Sequence, residues 1–207
     1  SLPLVYIDDV IDRILDAMEE GMVVRDEEGI CRIYPVHRTT LGELADTIRG
    51  FALARGGEAA KALGGDGVPT LAVPDLAADS FTKKLYSTYL SYLPTDGFAY
   101  DLAMHRDNRG SFTEFLRSPE RGQVSVNISN PGIVKGNHWH HTKNEKFLVV
   151  RGEGIIRFRQ IFSDEVIEYR VSGENLQVVD IPCGYTHNIE NVGDGEMVTV
   201  MWANEPF

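Results

Sequence analysis

His138-Trp139-His140-His141-Thr142-Lys143-Asn144-Glu145 places three of the chain's six histidines within four positions and follows them with a carboxylate. In an extended strand successive side chains alternate between faces, so His138 and His140 project together and His141 points away. Glu145 stands across a short turn, just ahead of the β-rich run Lys146-Phe147-Leu148-Val149-Val150. A fourth candidate, His187, lies in the separate stretch Pro182-Cys183-Gly184-Tyr185-Thr186-His187. Three imidazoles and one carboxylate form a borderline nitrogen and oxygen donor set, suited to Zn²⁺, Fe²⁺, Mn²⁺, Ni²⁺ or Cu²⁺. Any one of these histidines alone reads as a polar surface residue beside a turn. As a set they support one another as a metal site. Cys183 is a soft donor by position, although a Pro-x-Gly turn accepts any small residue there.

Outward from this stretch the apolar residues recur with period two. QVSVNIS (123–129), KFLVVRG (146–152), IIRFRQIF (155–162), DEVIEYRV (164–171), LQVVDIP (176–182) and MVTVMW (197–202) read as short strands separated by turn signals. Regular short strands with no helix between them predict a β-sandwich or barrel. Upstream the period is 3.6. LVYI (4–7) reads as a strand, and Asp8 or Asp9 then caps a helix with a stripe of Val10, Ile11, Ile14, Leu15 and Met18. CRIYPV (31–36) reads as a strand. Thr40-Leu41-Gly42-Glu43 is a capping box that opens a second helix with Leu41, Leu44, Ala45, Ile48, Phe51 and Ala52 on one face. A third helix, about Ser80 to Leu93, carries Tyr86, Tyr89 and Tyr92, which fit a buried face. LPTDG (93–97) breaks the pattern and divides residues 1–95 from 96–207.

The composition is that of a soluble globular protein, with no apolar run near the ~20 residues of a membrane span and 43% hydrophobic residues for a core. A net charge of −11 argues against nucleic acid and anionic membrane as partners. The charge is uneven, with 17 acids against 9 bases in residues 1–105 and 14 against 11 thereafter, so an anionic substrate is better tolerated in the second half. Cys31 and Cys183 form no disulfide framework, in keeping with a cytoplasmic protein. Ser1 opens a run that already reads as a strand, so the chain is expected to be a piece of a longer protein.

Gly132, His138, His140, Glu145 and Gly152 stand at the spacing of the first cupin motif, and Pro182, Gly184, His187 and Asn191 at that of the second. The chain therefore resembles the cupins. One departure is Leu176, where the family carries a glycine. Asp107-Asn108-Arg109-Gly110-Ser111-Phe112-Thr113-Glu114 resembles the opening strand of the cupin epimerases of 4-keto-6-deoxy sugar nucleotides, and Val5-Tyr6-Ile7-Asp8-Asp9-Val10 resembles a late segment of extended short-chain dehydrogenases. With KKLYSTYLSYLP (83–94) between them, the whole is similar to the CapF-type capsular polysaccharide synthesis enzymes, a reductase fused to a C-terminal RmlC-like zinc cupin.

The resemblance implies an all-β cupin (a double-stranded β-helix or jelly roll) over 96–207. Before it, residues 1–95 would be an α/β piece of the substrate-binding part of an extended short-chain dehydrogenase. It implies Zn²⁺ as the divalent metal, held by His138, His140, Glu145 and His187. It implies a UDP-sugar partner, a homodimer through the cupin domain, and epimerisation at C3 of a UDP-4-keto-6-deoxy-hexosamine on the way to an N-acetyl-L-fucosamine precursor of capsule or O-antigen. A histidine at the place of His138 is the base in metal-free relatives; with His138 on a metal, the base is sought among His141, Lys143, Tyr185 and Glu114. Arg109, Glu114, Lys135 and Lys146 are the substrate-binding candidates. NADPH is expected only with the full-length enzyme: no glycine-rich dinucleotide turn is present, and no lysine has a tyrosine four residues before it. The competing readings are a non-catalytic, metal-stabilised module for dimerisation and sugar binding, and a different metal-dependent cupin enzyme such as an iron dioxygenase.

Overall fold

A computed structural model describes residues 1–21, 23–77 and 80–205. The chain divides into two compact units, Ser1–Ala52 with Pro74–Phe98, and Leu53–Val73 with Ala99–Phe207. The segment 53–73 joins the second unit because Leu71 and Val73 bond to the backbone of Arg117, at 2.8 Å each.

In the first unit, strand β1 (Leu2–Leu4) pairs antiparallel with β2 (His37–Thr39). The strands expected over 4–7 and 31–36 do not form: β1 ends at Leu4, and Cys31 makes only an isolated bridge with Arg25. Helix α1 (Ile7–Glu19) starts one turn earlier than its acids suggest, with Tyr6 at the N-cap and Asp8 and Asp9 inside the first turn. There they still complement the helix dipole, and Asp9 grips Lys84 at 2.7 Å. Thr40 and Glu43 make the predicted reciprocal bonds (3.2 and 2.9 Å) at the start of α2 (Leu41–Arg55). A short α3 (Gly57–Ala62) follows. Helix α4 (Phe81–Ser91) is capped by the Ser80 hydroxyl, which accepts from Lys83 N–H. Phe51 of α2 packs against the rings of Tyr86 and Tyr89, whereas Tyr92 is 85% exposed because the helix ends before it. Among the described residues no helix is long and apolar enough to cross a membrane.

From Ala99 onward the second unit is all-β, as the cupin resemblance implies. Its strands are β3 (His105–Asp107), β4 (Gly110–Ser118), β5 (Gly122–Ser129), β6 (Val134–His138), β7 (Glu145–Arg151), β8 (Glu153–Gln160), β9 (Val166–Ser172), β10 (Val178–Ile181), β11 (Tyr185–Asn191) and β12 (Met197–Ala203). They form a six-stranded sheet in the order β10-β7-β12-β5-β4-β3 and a four-stranded sheet in the order β6-β11-β8-β9, all neighbours antiparallel. Alternation points Phe147 and Val149 of β7 inward, where they meet Ile156 and Phe158 of β8, Val179 and Ile181 of β10, Ile189 of β11 and Met197 of β12. Strand β5 reverses the usual order: Gln123, Ser125, Asn127 and Ser129 are the buried residues, while Val124, Val126 and Ile128 alternate with them. The interior is thus apolar on one side and polar on the other, and the polar side opens into a cavity.

Candidate metal centre

The cavity, about 700 Å³, lies inside the second unit and is lined by residues of β3, β4, β5, β6, β7, β11 and β12. His138, Glu145 and His187 form one part of its wall, and His105, Arg106, Asp107, Arg109 and Lys135 supply the other titratable groups around them.

His138 ends β6 directly opposite His187 in β11, which brings their ring centroids to 4.8 Å. Glu145 opens β7 in the other sheet, so the two sheets meet at this point. His140 was expected to share a strand with His138. Instead β6 stops at His138 and His140 lies in the following loop, which is tied down by a 3.1 Å bond from Gly184 N–H to the His140 carbonyl. Its ring still reaches His138, centroid to centroid 4.8 Å. One donor atom from each of His138, His140, Glu145 and His187 lies within 4.8 Å of every other.

Glu145 and His187 are 3% exposed. Glu145 Oε2 comes within 3.2 Å of His187 Nε2 and 3.6 Å of His140 Nε2. Yet Glu145 Oε2 and His140 Nε2 are buried without a hydrogen-bond partner, so the atoms crowd one another without the alignment of a hydrogen bond. Buried polar atoms are almost always paired, and donors aimed at a shared point rather than at each other are what a cation requires. Burial drives the His138 and His140 pKa values down, favouring the neutral rings that ligation needs. Burial pushes the Glu145 carboxyl up, but His187, His140 and Lys143 outweigh it and hold the group below its ordinary value. The site therefore fits a divalent ion by donor type, burial and charge.

The other predicted residues are placed unequally. Lys135 and Arg109 line the cavity. Lys135 Nζ donates to Asn127 Oδ1 at 2.7 Å and to the Ile128 carbonyl at 2.9 Å, and burial lowers its pKa. Arg109 is held by Asp107. Lys143 is buried beside Glu145, and burial lowers its pKa too, but it is not a wall residue of the cavity. His141 meets Trp139 edge to face, ring centroids 4.5 Å apart, and is not one of the four clustered donors. Tyr185 packs against the apolar core and borders a different cavity, with Phe158 and Tyr169. Glu114 pairs with Arg117, and Lys146 with Asp180. Cys183 directs its thiol at Lys143 O and Asn144 Oδ1, outside the donor set. Missed in the sequence was His105, on the cavity wall from the three-residue strand β3; a strand that short carries no periodicity that would point to it.

The comparisons with known proteins agree with this architecture. Residues 105–207 match the polysaccharide biosynthesis C-terminal domain family. The capsular polysaccharide assembling protein CapF from Staphylococcus aureus is 54% identical, with a TM-score of 0.85 over 100% of this chain and 55% of its own. CapF bound to the inhibitor 3-isopropenyl-tropolone superposes with a TM-score of 0.86 at 54% identity, over 99% of this chain and 55% of that one. The UDP-2-acetamido-2,6-beta-L-arabino-hexul-4-ose reductase of Pseudomonas aeruginosa is 36% identical over the full 207 residues, which make up 51% of that protein. The chain spans about half the length of these relatives. Over its whole length the chain is similar to CapF, and its residues 105–207 match the polysaccharide biosynthesis C-terminal domain family.

Proposed function

We propose that this chain acts in the nucleotide-sugar biosynthesis that feeds capsular polysaccharide or O-antigen, and that its cupin unit epimerises C3 of a UDP-4-keto-6-deoxy-hexosamine. The observation that carries the reading is the convergence of four nitrogen and oxygen donors, three of them on the wall of a cavity that also presents a desolvated lysine. His138, His140, Glu145 and His187 would hold a divalent ion, and Zn²⁺ suits three imidazoles and a carboxylate. When bound, the ion supplies Lewis acidity toward a carbonyl oxygen in the cavity.

The protein's own groups do the rest. The C3 proton beside the ketone is acidic because its bonding electron pair can pass to the C4 oxygen as an enediolate. Lys135 has two of its three N–H donors taken by Asn127 and Ile128, which fixes the ammonium and leaves one donor for that oxygen. Fixed positive charge where negative charge develops is the largest single contribution in such reactions. His105, the cavity histidine outside the donor cluster, takes the proton, and a different, solvent-derived proton delivered to the opposite face inverts C3. Arg106 and Arg109 are cationic partners for the diphosphate. Reduction of the 4-keto group with NADPH belongs to the part of the longer relatives that this chain does not span. Pairing of two copies through the cupin unit is supported by the exposed apolar residues Leu176 and Val178.

The test is exchange of the C3 hydrogen. Zinc-loaded protein in deuterium oxide, given the UDP-4-keto sugar, should incorporate one deuterium at C3, read by mass spectrometry. Absence of exchange with the metal fully loaded refutes the epimerase reading and leaves the non-catalytic module.

A further inference from the structure

Strand β6 presents both Lys135 and His138 to one cavity, although they stand three residues apart. In a regular strand, side chains at odd spacing face opposite ways. The register explains the exception. His187 lies opposite His138, but its neighbour Asn188 lies opposite Gly136. Asn137 is therefore an extra residue, a β-bulge, and a bulge re-aims the side chains that follow it. Asn137 has φ +65°, in the left-handed region that side chains rarely adopt and that asparagine tolerates best. Its Oδ1 accepts a 2.7 Å hydrogen bond from Asn188 Nδ2, across the bulge. Beside it Gly136, φ +109°, leaves no room for a side chain: a Cβ there would stand 2.8 Å from the His187 carbonyl oxygen.

We propose that Asn137 and Asn188 are positioning residues. Their side-chain bridge holds the bulge, and the bulge turns His138 toward His187 while Lys135 keeps its place on the same wall. A regular β6 would send one of the two out of the cavity, removing either a donor or the ammonium. This inference rests on the reading that the donor cluster holds a divalent cation.

The test is zinc affinity of the full chain, measured by competition with a chromophoric chelator, with the Co²⁺ absorption spectrum as a report on the donor set. Asn137→Val disfavours φ above zero and should weaken zinc by about ten- to a hundredfold, the usual cost of disturbing the residues that orient ligands. Asn137→Gly adopts that φ freely but lacks the bridge, so it should recover only part of the affinity that Asn137→Val loses. Asn188→Ala keeps the backbone at 137 and loses the same bridge, and its affinity should match that of Asn137→Gly. A merely structural role would lower the denaturation midpoint of zinc-free protein without altering the Co²⁺ spectrum or showing rescue by glycine. If the natural protein binds zinc, and Asn137→Val and Asn188→Ala bind it equally with an unchanged spectrum, the positioning role is refuted. Should Asn137→Val fail to fold, Asn188→Ala alone decides. If the natural protein binds no zinc, the cation site itself is refuted instead.

Discussion

Replacing Glu145 by glutamine should cost more stability with zinc than without it. The carboxylate is 3% exposed, and its Oε2 lies close to two imidazole nitrogens without a hydrogen bond to either. An unsatisfied buried polar group costs about 1–3 kcal/mol, and a charge costs more. Without metal, burial of the charge is outweighed by its attraction to His187, His140 and Lys143, which hold the carboxyl below its ordinary value, so zinc-free Glu145→Gln should be modestly less stable than the natural protein at neutral pH. With zinc the deficit grows. Free zinc at a thousandfold its dissociation constant stabilises the folded state by about 4.1 kcal/mol. A variant bound about a hundredfold more weakly keeps about 1.4 kcal/mol of that at the same zinc concentration, a loss of about 2.7 kcal/mol. Urea unfolding followed by tryptophan fluorescence measures it, since Trp139 and Trp202 both lie in the second unit. Equal zinc stabilisation in the two proteins would refute the cation site. A zinc-free variant several kcal/mol less stable than the natural protein would show that Glu145 works as an ion-pair partner instead.

Three further outcomes are expected. Lys135→Met should lower the rate of C3 exchange about 10²–10³-fold, the usual loss for one oxyanion-stabilising group, with zinc affinity unchanged; an unaltered rate would remove Lys135 from the chemistry. Asn191 is fully buried, donates to the Ser129 and Gly195 carbonyls at 2.8 Å each and accepts from Gly193 N–H. Asn191→Ala should cost about 3 kcal/mol in denaturant unfolding by leaving those groups unpaired, and a loss below about 1 kcal/mol would contradict that accounting. Thr40→Ala should cost the first unit about 1 kcal/mol in thermal unfolding. The Thr40 N–H and the Thr39 and Thr40 hydroxyls hold the Glu43 carboxyl below its ordinary value of 4.5. The stability this gives is complete above that value and is lost as pH falls through the lowered one, so Thr40→Ala should also flatten the acid limb.

Much of the second unit was legible because its strands carry period two. QVSVNIS, KFLVVRG and MVTVMW coincide with β5, β7 and β12 to within a residue or two at either end. Strand β11 was not read as a strand, and the strand read through His138 and His140 was misplaced, since β6 ends at His138; both hold the glycine, asparagine and histidine residues of the site, whose propensities argue against sheet. In the first unit LVYI and CRIYPV look like strands by composition. Each is paired only at its first residue, Leu4 with His37 and Cys31 with Arg25, and a longer strand without a partner would have unpaired backbone groups. The capping box was read correctly, since its bonds join residues three apart and need no tertiary context.

Donor types and motif spacings alone named His138, His140, Glu145 and His187 as a possible cation site, and the geometry brings those four together. What surrounds them is set by contacts between strands far apart in the chain. Alternation predicts the face of a side chain only while a strand stays regular. The bulge at Asn137, the end of β6 before His140, and the antiparallel register that sets His187 opposite His138 are each set by contacts with distant strands. For the same reason His105 and Lys135 came to the cavity while His141 and Tyr185 did not.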